Sequence, residues 1–135
     1  MADTVLNTTV FDGSKKLITH YNVVSDGTGG TTKIVDVSGL ATNNGKSCTK
    51  VRLNKVSFNV SVTAQVDALR MLWDATTDVA FQTLNGEMEY DYSSFGGLPN
   101  TEATNFTGDV NITLPACTSG DSATVVCEWI KVYES

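Results

Sequence analysis

The chain has 135 residues, which suits one domain with one hydrophobic core, and its 41% share of apolar residues is typical of globular proteins. Fifteen acidic residues outnumber nine basic ones, and the net charge of −6, without any basic cluster, argues against nucleic acid as a partner. We therefore expect a single domain spanning residues 1–135 that binds no nucleic acid.

The N-terminal residues lack the basic start and the apolar run of a signal peptide. No apolar segment approaches the roughly 18 residues that a membrane span needs. We therefore expect a soluble protein that is made in a cytoplasm and has no membrane partner.

The first candidate for chemistry is His20, the only histidine of the chain, in a strand-like run over residues 17–22. A catalytic triad would place it beside an activated Ser or Cys, but the chain has no Gly-x-Ser-x-Gly motif. The glycine-rich residues 26–30 lack the Lys-Ser/Thr pair of a phosphate-binding loop, which favours a hairpin loop. We predict no catalytic residue, no metal ligand and no cofactor.

Residues 51–62 carry the clearest strand signal. From Val56 to Val62, each even position is apolar and each odd position is Ser or Asn, so one face should meet a core and the other water. The alternation changes phase at Asn54 and Lys55. That phase change predicts a β-bulge, because one extra residue resets which face is buried.

The next segment, residues 64–73, fits a helical period about as well as period two at its start. We interpret it as a strand that ends at Trp73, with a helical turn near residues 64–68 left open. Asp74 and Asp78 flank a tight turn after it, and capping that turn is the role we expect for them.

Three carboxylates, those of Glu87, Glu89 and Asp91, alternate along a strand-like run, so they should share one face of that strand. Three interpretations stay open. They are a solvated face that protects a sheet edge, a surface that contacts another protein, and a Ca²⁺ site. We favour the first and name the three residues as candidate partner contacts.

The C-terminal run around Val126 and Ile130 is densely apolar, which predicts a strand buried on both faces. The three cysteines, an odd number at wide spacing, predict reduced and mostly buried thiols. A disulfide between Cys117 and Cys127 is the alternative.

Turn signals separate these runs at short intervals, including Asn43-Asn44-Gly45 and the pair Gly96 and Gly97, where glycine supplies positive φ angles. The runs between them give about eight strands. We therefore predict an all-β fold, an antiparallel β-sandwich with jelly-roll or immunoglobulin-like topology.

Six short motifs are spread over most of the chain, at residues 25–29, 35–38, 72–78, 95–100, 107–110 and 119–121. In this order, they resemble a family of small virion proteins of tailed bacteriophages, including phages of cyanobacteria and marine bacteria. The polar insert at residues 43–46 and the two cysteines Cys117 and Cys127 depart from the pattern.

The resemblance implies a capsid decoration protein, also called a cement protein, on the surface of the virion. Its partner would be the major capsid protein, and a homo-oligomer is expected, with a trimer favoured. Other virion parts (neck, tail or fibre) and a carbohydrate-binding β-sandwich are the alternatives. Residues 1–12 are a candidate arm that adds to a partner's sheet, with Val5, Leu6, Val10 and Phe11 as candidate contacts. The competing interpretation is a first strand of the domain's own sheet.

Overall fold

In the computed structural model, residues 4–64, 68–99 and 106–133 are described, and they form two antiparallel β-sheets packed as a sandwich. The prediction of an all-β sandwich is confirmed. The strands are β1 Thr4–Asp12, β2 Lys16–Val24, β3 Gly30–Val35, β4 Cys48–Ser61, β5 Leu69–Ala75, β6 Val79–Leu84, β7 Gly86–Asp91, β8 Phe106–Leu114 and β9 Ser122–Tyr133. Short 3₁₀ turns cover Val37–Gly39 and Ser93–Phe95.

The strand order identifies the topology as a jelly roll rather than an immunoglobulin-like sandwich. One sheet has the order β1-β2-β9-β4-β7 and the other has the order β3-β8-β5-β6. The pairs β2–β9, β3–β8, β4–β7 and β5–β6 are nested in the chain, as in one long hairpin that has been folded over. Strand β1 adds a fifth strand beside β2.

The core lies between the sheets and is filled by alternate residues of each strand. In β4, Val56, Phe58 and Val60 are buried while Asn59 is exposed, which confirms the predicted alternation. The pairing of β4 with β9 shifts between Leu53 and Lys55, so the predicted bulge is also confirmed. The two tryptophans, Trp73 and Trp129, are fully buried among these residues.

Strand β9 corrects the expectation of burial on both faces. Its inward residues Val125, Cys127 and Trp129 are buried, but Val126 is 39% exposed on the outer face. The reason is the position of the strand in a two-layer fold. Strand β9 is central in its sheet, yet no described element covers that sheet's outer face.

The N-terminal segment is a strand of the domain's own sheet over Thr4–Asp12, not an extended arm. Its first three residues lie outside the described residues. The helical turn considered near residues 64–68 falls mostly on residues 65–67, which are also outside the described part. Strand β5 begins at Leu69, in agreement with the interpretation of that segment as a strand.

The insert at residues 43–46 is a tight hairpin turn. Asn44 and Gly45 both have positive φ angles, 53° and 76°. The backbone groups of Asn43 and Lys46 exchange two hydrogen bonds of 3.0 Å each. This is the geometry that an Asn-Gly pair favours, so the insert at residues 43–46 has a simple structural role.

Candidate interaction surfaces

Strand β1 carries four of the nine large apolar side chains that are exposed among the described residues. The four predicted contact residues, Val5, Leu6, Val10 and Phe11, are 43%, 49%, 59% and 51% exposed, and we call them the β1 patch. Strand β1 ends the order of its sheet, so one of its long sides is paired with β2 and the other pairs with no strand among the described residues. No charged residue lies between positions 4 and 11.

Within the β1 patch, the pairing with β2 assigns the faces. Leu6 and Phe11 lie opposite Asn22 and Ile18, on the outer face of the sheet. Val5 lies opposite the buried Val23, on the inner face. Val5 remains exposed there because β1 is the fifth strand of its sheet and the facing sheet has four.

The end of β1 is fixed by Lys131, a buried lysine of β9. Its ammonium nitrogen lies 2.6 Å from a carboxylate oxygen of Asp12 and donates to the carbonyl oxygens of Gly13 and Ala41 at 2.8 and 3.0 Å. Burial alone would lower the pKa of Lys131, but hydrogen bonds and charge from Asp12 and Tyr133 outweigh it and raise the pKa. Strand β1 is therefore held firmly while its edge stays open.

At the opposite edge of the same sheet, β7 displays the three predicted carboxylates. Glu87, Glu89 and Asp91 lie opposite Asn59, Ser57 and Lys55 of β4, on the outer face. All six residues of β7 are exposed. The predicted alternation is therefore observed. No group of three His, Cys, Asp or Glu residues in the described part of the chain is arranged to hold a metal ion.

The carboxylates of β7 have few partners. Ser57 donates its hydroxyl to Glu89 at 3.0 Å, and the Lys55 ammonium lies 4.0 Å from Asp91. Asp91 also accepts a 2.8 Å hydrogen bond from the backbone N–H of Ser93. Hydrogen bonds from the side chain and backbone of Ser93 lower the pKa of Asp91.

The inward side of β7 begins a row of aromatic rings. The ring centroids of Phe58 and Tyr90 are 5.9 Å apart, those of Tyr90 and Tyr92 are 6.3 Å apart, and those of Tyr92 and Phe95 are 5.9 Å apart. Tyr92 donates its hydroxyl to Gln82 of β6 at 2.7 Å, which links the two sheets. Phe95 is 59% exposed at the end of the row.

The remaining residues singled out from the sequence have structural roles. Trp73 is a core residue, stacked on Phe81 with centroids 3.7 Å apart. Asp78 caps the turn by accepting the N–H of Ala75 at 3.0 Å, as predicted. Asp74 instead accepts hydrogen bonds from β8, through Thr107 at 2.7 Å and Asn111 at 3.2 Å.

The glycine pair after β7 allows a close approach of two chain segments. Gly96 and Gly97 have φ angles of 83° and 94°. A Cβ atom on Gly97 would lie 3.1 Å from the Cβ atom of Arg52 and 3.3 Å from the carbonyl oxygen of Leu53. Leu98 pairs with Leu53 directly afterwards, so the turn returns the chain onto β4.

The three cysteines are free thiols, so the alternative of a Cys117–Cys127 disulfide is wrong. Burial raises the pKa of Cys127 to about 12, and burial also raises the pKa of Cys48. A raised pKa leaves a thiol protonated and unreactive at neutral pH. His20 lies opposite Thr8 and Val126 on the outer face of the sheet.

The buried polar groups that were not predicted from the sequence include Lys131, which is paired with Asp12, and Asp109. Asp109 accepts from the N–H of Val37 and from the Lys33 ammonium, both at 2.9 Å. For Lys131 a signal existed, because it continues the inward-facing odd positions of β9. For Asp109 the local pattern gives no comparable signal.

No protein-family model matches the chain, and no curated protein matches it significantly. Among solved structures, a cupin domain from Bordetella pertussis is similar over 98% of this chain and 97% of that chain, with 14% sequence identity and a TM-score of 0.39. A likeness at this level supports no inference about function. No helix among the described residues is long and apolar enough to cross a membrane.

Proposed function

We propose that this chain is a phage head decoration protein that binds the outer surface of the capsid shell and stabilises it. Its partner is then the major capsid protein, its location is the surface of the virion, and it acts as a homo-oligomer, with a trimer favoured. It works without catalysis. The family resemblance of the sequence suggests this role, and the β1 patch provides a surface for it.

The observation that carries the proposal is the apolar edge of β1, which has one bulge near its end but no charged residue between positions 4 and 11. Sheet edges in monomeric proteins are usually protected by charged side chains, prolines or bulges, because unpaired backbone groups invite other strands. Strand β1 offers nine residues of edge, four large apolar side chains and no charge before Asp12. Its one bulge lies between Thr9 and Phe11. Such an edge suits a permanent protein contact, where apolar burial and added strand pairing both contribute to affinity.

Absence of catalysis is supported by the chemistry of the described residues. The buried thiols Cys48 and Cys127 have raised pKa values. The buried carboxylate of Asp121 is used by Thr63 and Thr118, whose N–H groups donate to it at 3.2 Å each. The Asp121 carboxylate therefore joins the chain segments that contain Thr63 and Thr118.

The proposal is tested by binding the recombinant chain to purified phage particles. Near-stoichiometric binding to expanded heads, and none to unexpanded procapsids, is the expected result. The double variant L6T/F11T should lose head binding, since it replaces two of the four apolar side chains of the β1 patch with threonine, a polar β-branched residue that suits a strand. The control is Met88→Thr. Met88 is as exposed as Phe11, at 51%, but lies on β7 at the other edge of the sheet.

One outcome would contradict the head location and another would contradict the role of the β1 patch. Binding to tails alone would assign the chain to a neck, tail or fibre instead. Head binding that survives L6T/F11T unchanged would show that the β1 patch is not the contact surface.

A carbohydrate-binding module is the second candidate, favoured by the aromatic row from Tyr90 to Phe95. Protein sites for sugars and other small ligands commonly combine aromatic rings with a few polar groups. Reproducible hits on a glycan array, lost in the variant Phe95→Ala, would support this function. Phe95 is the most exposed ring of the row, so its removal should leave the fold intact.

A further inference from the structure

Strand β7 is a second open edge, and its two faces differ in chemistry. The outer face carries Glu87, Glu89 and Asp91 in a row. The inward face carries Met88 and Tyr90, which are 51% and 37% exposed. Since β7 ends its sheet, one long side of the strand pairs with β4 and the other meets no further strand in the part of the chain that the structure describes.

The inward face of β7 is exposed although it points to the core side. Met88 and Tyr90 lie opposite the buried residues Phe58 and Val56. Met88 and Tyr90 are thus covered less by the described residues than their neighbours on β4. An added strand beside β7 would extend the inner face and bury this apolar side.

On the outer face, the negative charge of β7 is poorly balanced. Lys55 is the single cation within 4.0 Å of the row among the described residues, and its distance from Asp91 is 4.0 Å. Beside the row lies a groove of about 430 Å³, lined by residues that include Ser57, Asn59 and Thr124. Long basic side chains can lie in such a groove with their methylene groups on the floor.

We propose that the β7 edge binds an extended segment of another protein in which Lys or Arg alternates with apolar residues. The segment adds a sixth strand to the sheet. Its alternate basic side chains then meet the three carboxylates, which lie roughly 7 Å apart along the strand. Its apolar side chains cover Met88 and Tyr90. The proposal is independent of the β1 patch and of the capsid assignment.

A second copy of this chain does not fit the same edge. Among the described edge strands, β1, β6 and β7 contain no basic residue and β3 contains only Lys33. Alternating basic residues occur in β4, as in Lys50 and Arg52, but β4 is an interior strand paired on both sides. The partner is therefore a different protein.

The test uses the full chain and three synthetic heptapeptides with blocked ends. One alternates Lys and Val, one has the same composition with all four lysines grouped, and one alternates Glu and Val. We expect the alternating Lys-Val peptide to shift the backbone amide NMR signals of β7 and to bind at least about fivefold tighter than the grouped peptide. The Glu-Val peptide should not bind, because like charges would face each other across the strands.

Variants and modified peptides separate strand addition from simple charge attraction. The variant E87Q/E89Q should weaken binding about fivefold to tenfold and reduce its salt dependence, because two cross-strand ion pairs are lost. The control is Glu128→Gln, which lies on the same sheet face but on β9. It should change the affinity for the peptide less than about twofold. N-methylation of the peptide residues whose N–H groups face β7 should abolish binding. N-methylation of the residues between them, whose N–H groups point away from β7, should not.

Three results would overturn the proposal: equal affinity for the grouped and alternating peptides, amide shifts confined to β1, and no binding at all. A self-association of the chain that E87Q/E89Q abolishes would also overturn it, since the occupant would then be a second copy. Head binding by E87Q/E89Q is measured separately, so failure of this proposal leaves the capsid proposal standing.

Discussion

Lys131 and Asp12, 119 positions apart in the chain, form an ion pair with the ammonium nitrogen 2.6 Å from a carboxylate oxygen. The Lys131 side chain is fully buried, whereas the Asp12 side chain is 23% exposed. The pair joins the end of β1 to β9 across β2, which lies between them in the sheet. A charged ammonium group is stable in a buried position only while its hydrogen-bond partners are present.

The first prediction is that Asp12→Asn destabilises the protein by about 2–4 kcal/mol, because it leaves the buried ammonium without its counter-ion. Urea unfolding followed by circular dichroism measures the free energy of unfolding. Lys16→Met is the matched control, since the Lys16 side chain in the pair with Glu128 is 53% exposed. It should cost less than about 1 kcal/mol. Equal losses in both variants would contradict a special role for Lys131.

The second prediction concerns Gly96 and Gly97. Gly96→Ala should cost about 1–2 kcal/mol, the usual cost of a left-handed backbone for a residue with a Cβ atom. Gly97→Ala should cost more, because its Cβ atom would also press on Arg52 and Leu53 at 3.1 and 3.3 Å. Thermal unfolding of both variants checks the order. A larger loss for Gly96→Ala would mean that the close approach at Gly97 is relieved at little cost.

The parts of this fold that could be predicted from the sequence are those that the local alternation of apolar and polar residues determines. The alternation over residues 56–61 and the bulge near Asn54 were predicted correctly, because period two assigns faces directly. The exposure of the outer face of β9 was not predicted correctly. Val126 is apolar whether a layer covers it or not, and the number of layers is a property of the whole fold.

Of the two candidate interaction surfaces, one could be predicted from the sequence and the other could not. The row of Glu87, Glu89 and Asp91 was predicted because a strand places alternate residues on one face. The status of β1 stayed open, because a strand that pairs with its own domain and one that pairs with a partner have the same apolar pattern. The burial of Lys131 depends on Asp12, which only the fold brings near it.

The third prediction is that alkylation distinguishes the three thiols. Cys48 and Cys127 are 4% and 1% exposed, while Cys117 is partly exposed near the surface. Iodoacetamide at pH 8 should therefore modify Cys117 first, and the other two only when the protein unfolds. Mass spectrometry of tryptic peptides over a time course gives the three rates. Early modification of Cys127 would show that β9 opens locally.

The fourth prediction concerns alkaline pH and follows from the pKa of Cys127. Burial raises this pKa from 9.0 to about 12, so the folded state keeps the proton that the unfolded state loses. The stabilising contribution is complete below pH 9 and is lost as the pH rises toward 12, by up to about 4 kcal/mol. The free energy of unfolding should therefore fall more steeply with pH in the natural protein than in Cys127→Ala. Cys117→Ala is the control and should keep the steep fall, because its thiol lies nearer to solvent. Parallel curves for the natural protein and Cys127→Ala would show that Cys127 ionises alike in the folded and unfolded states.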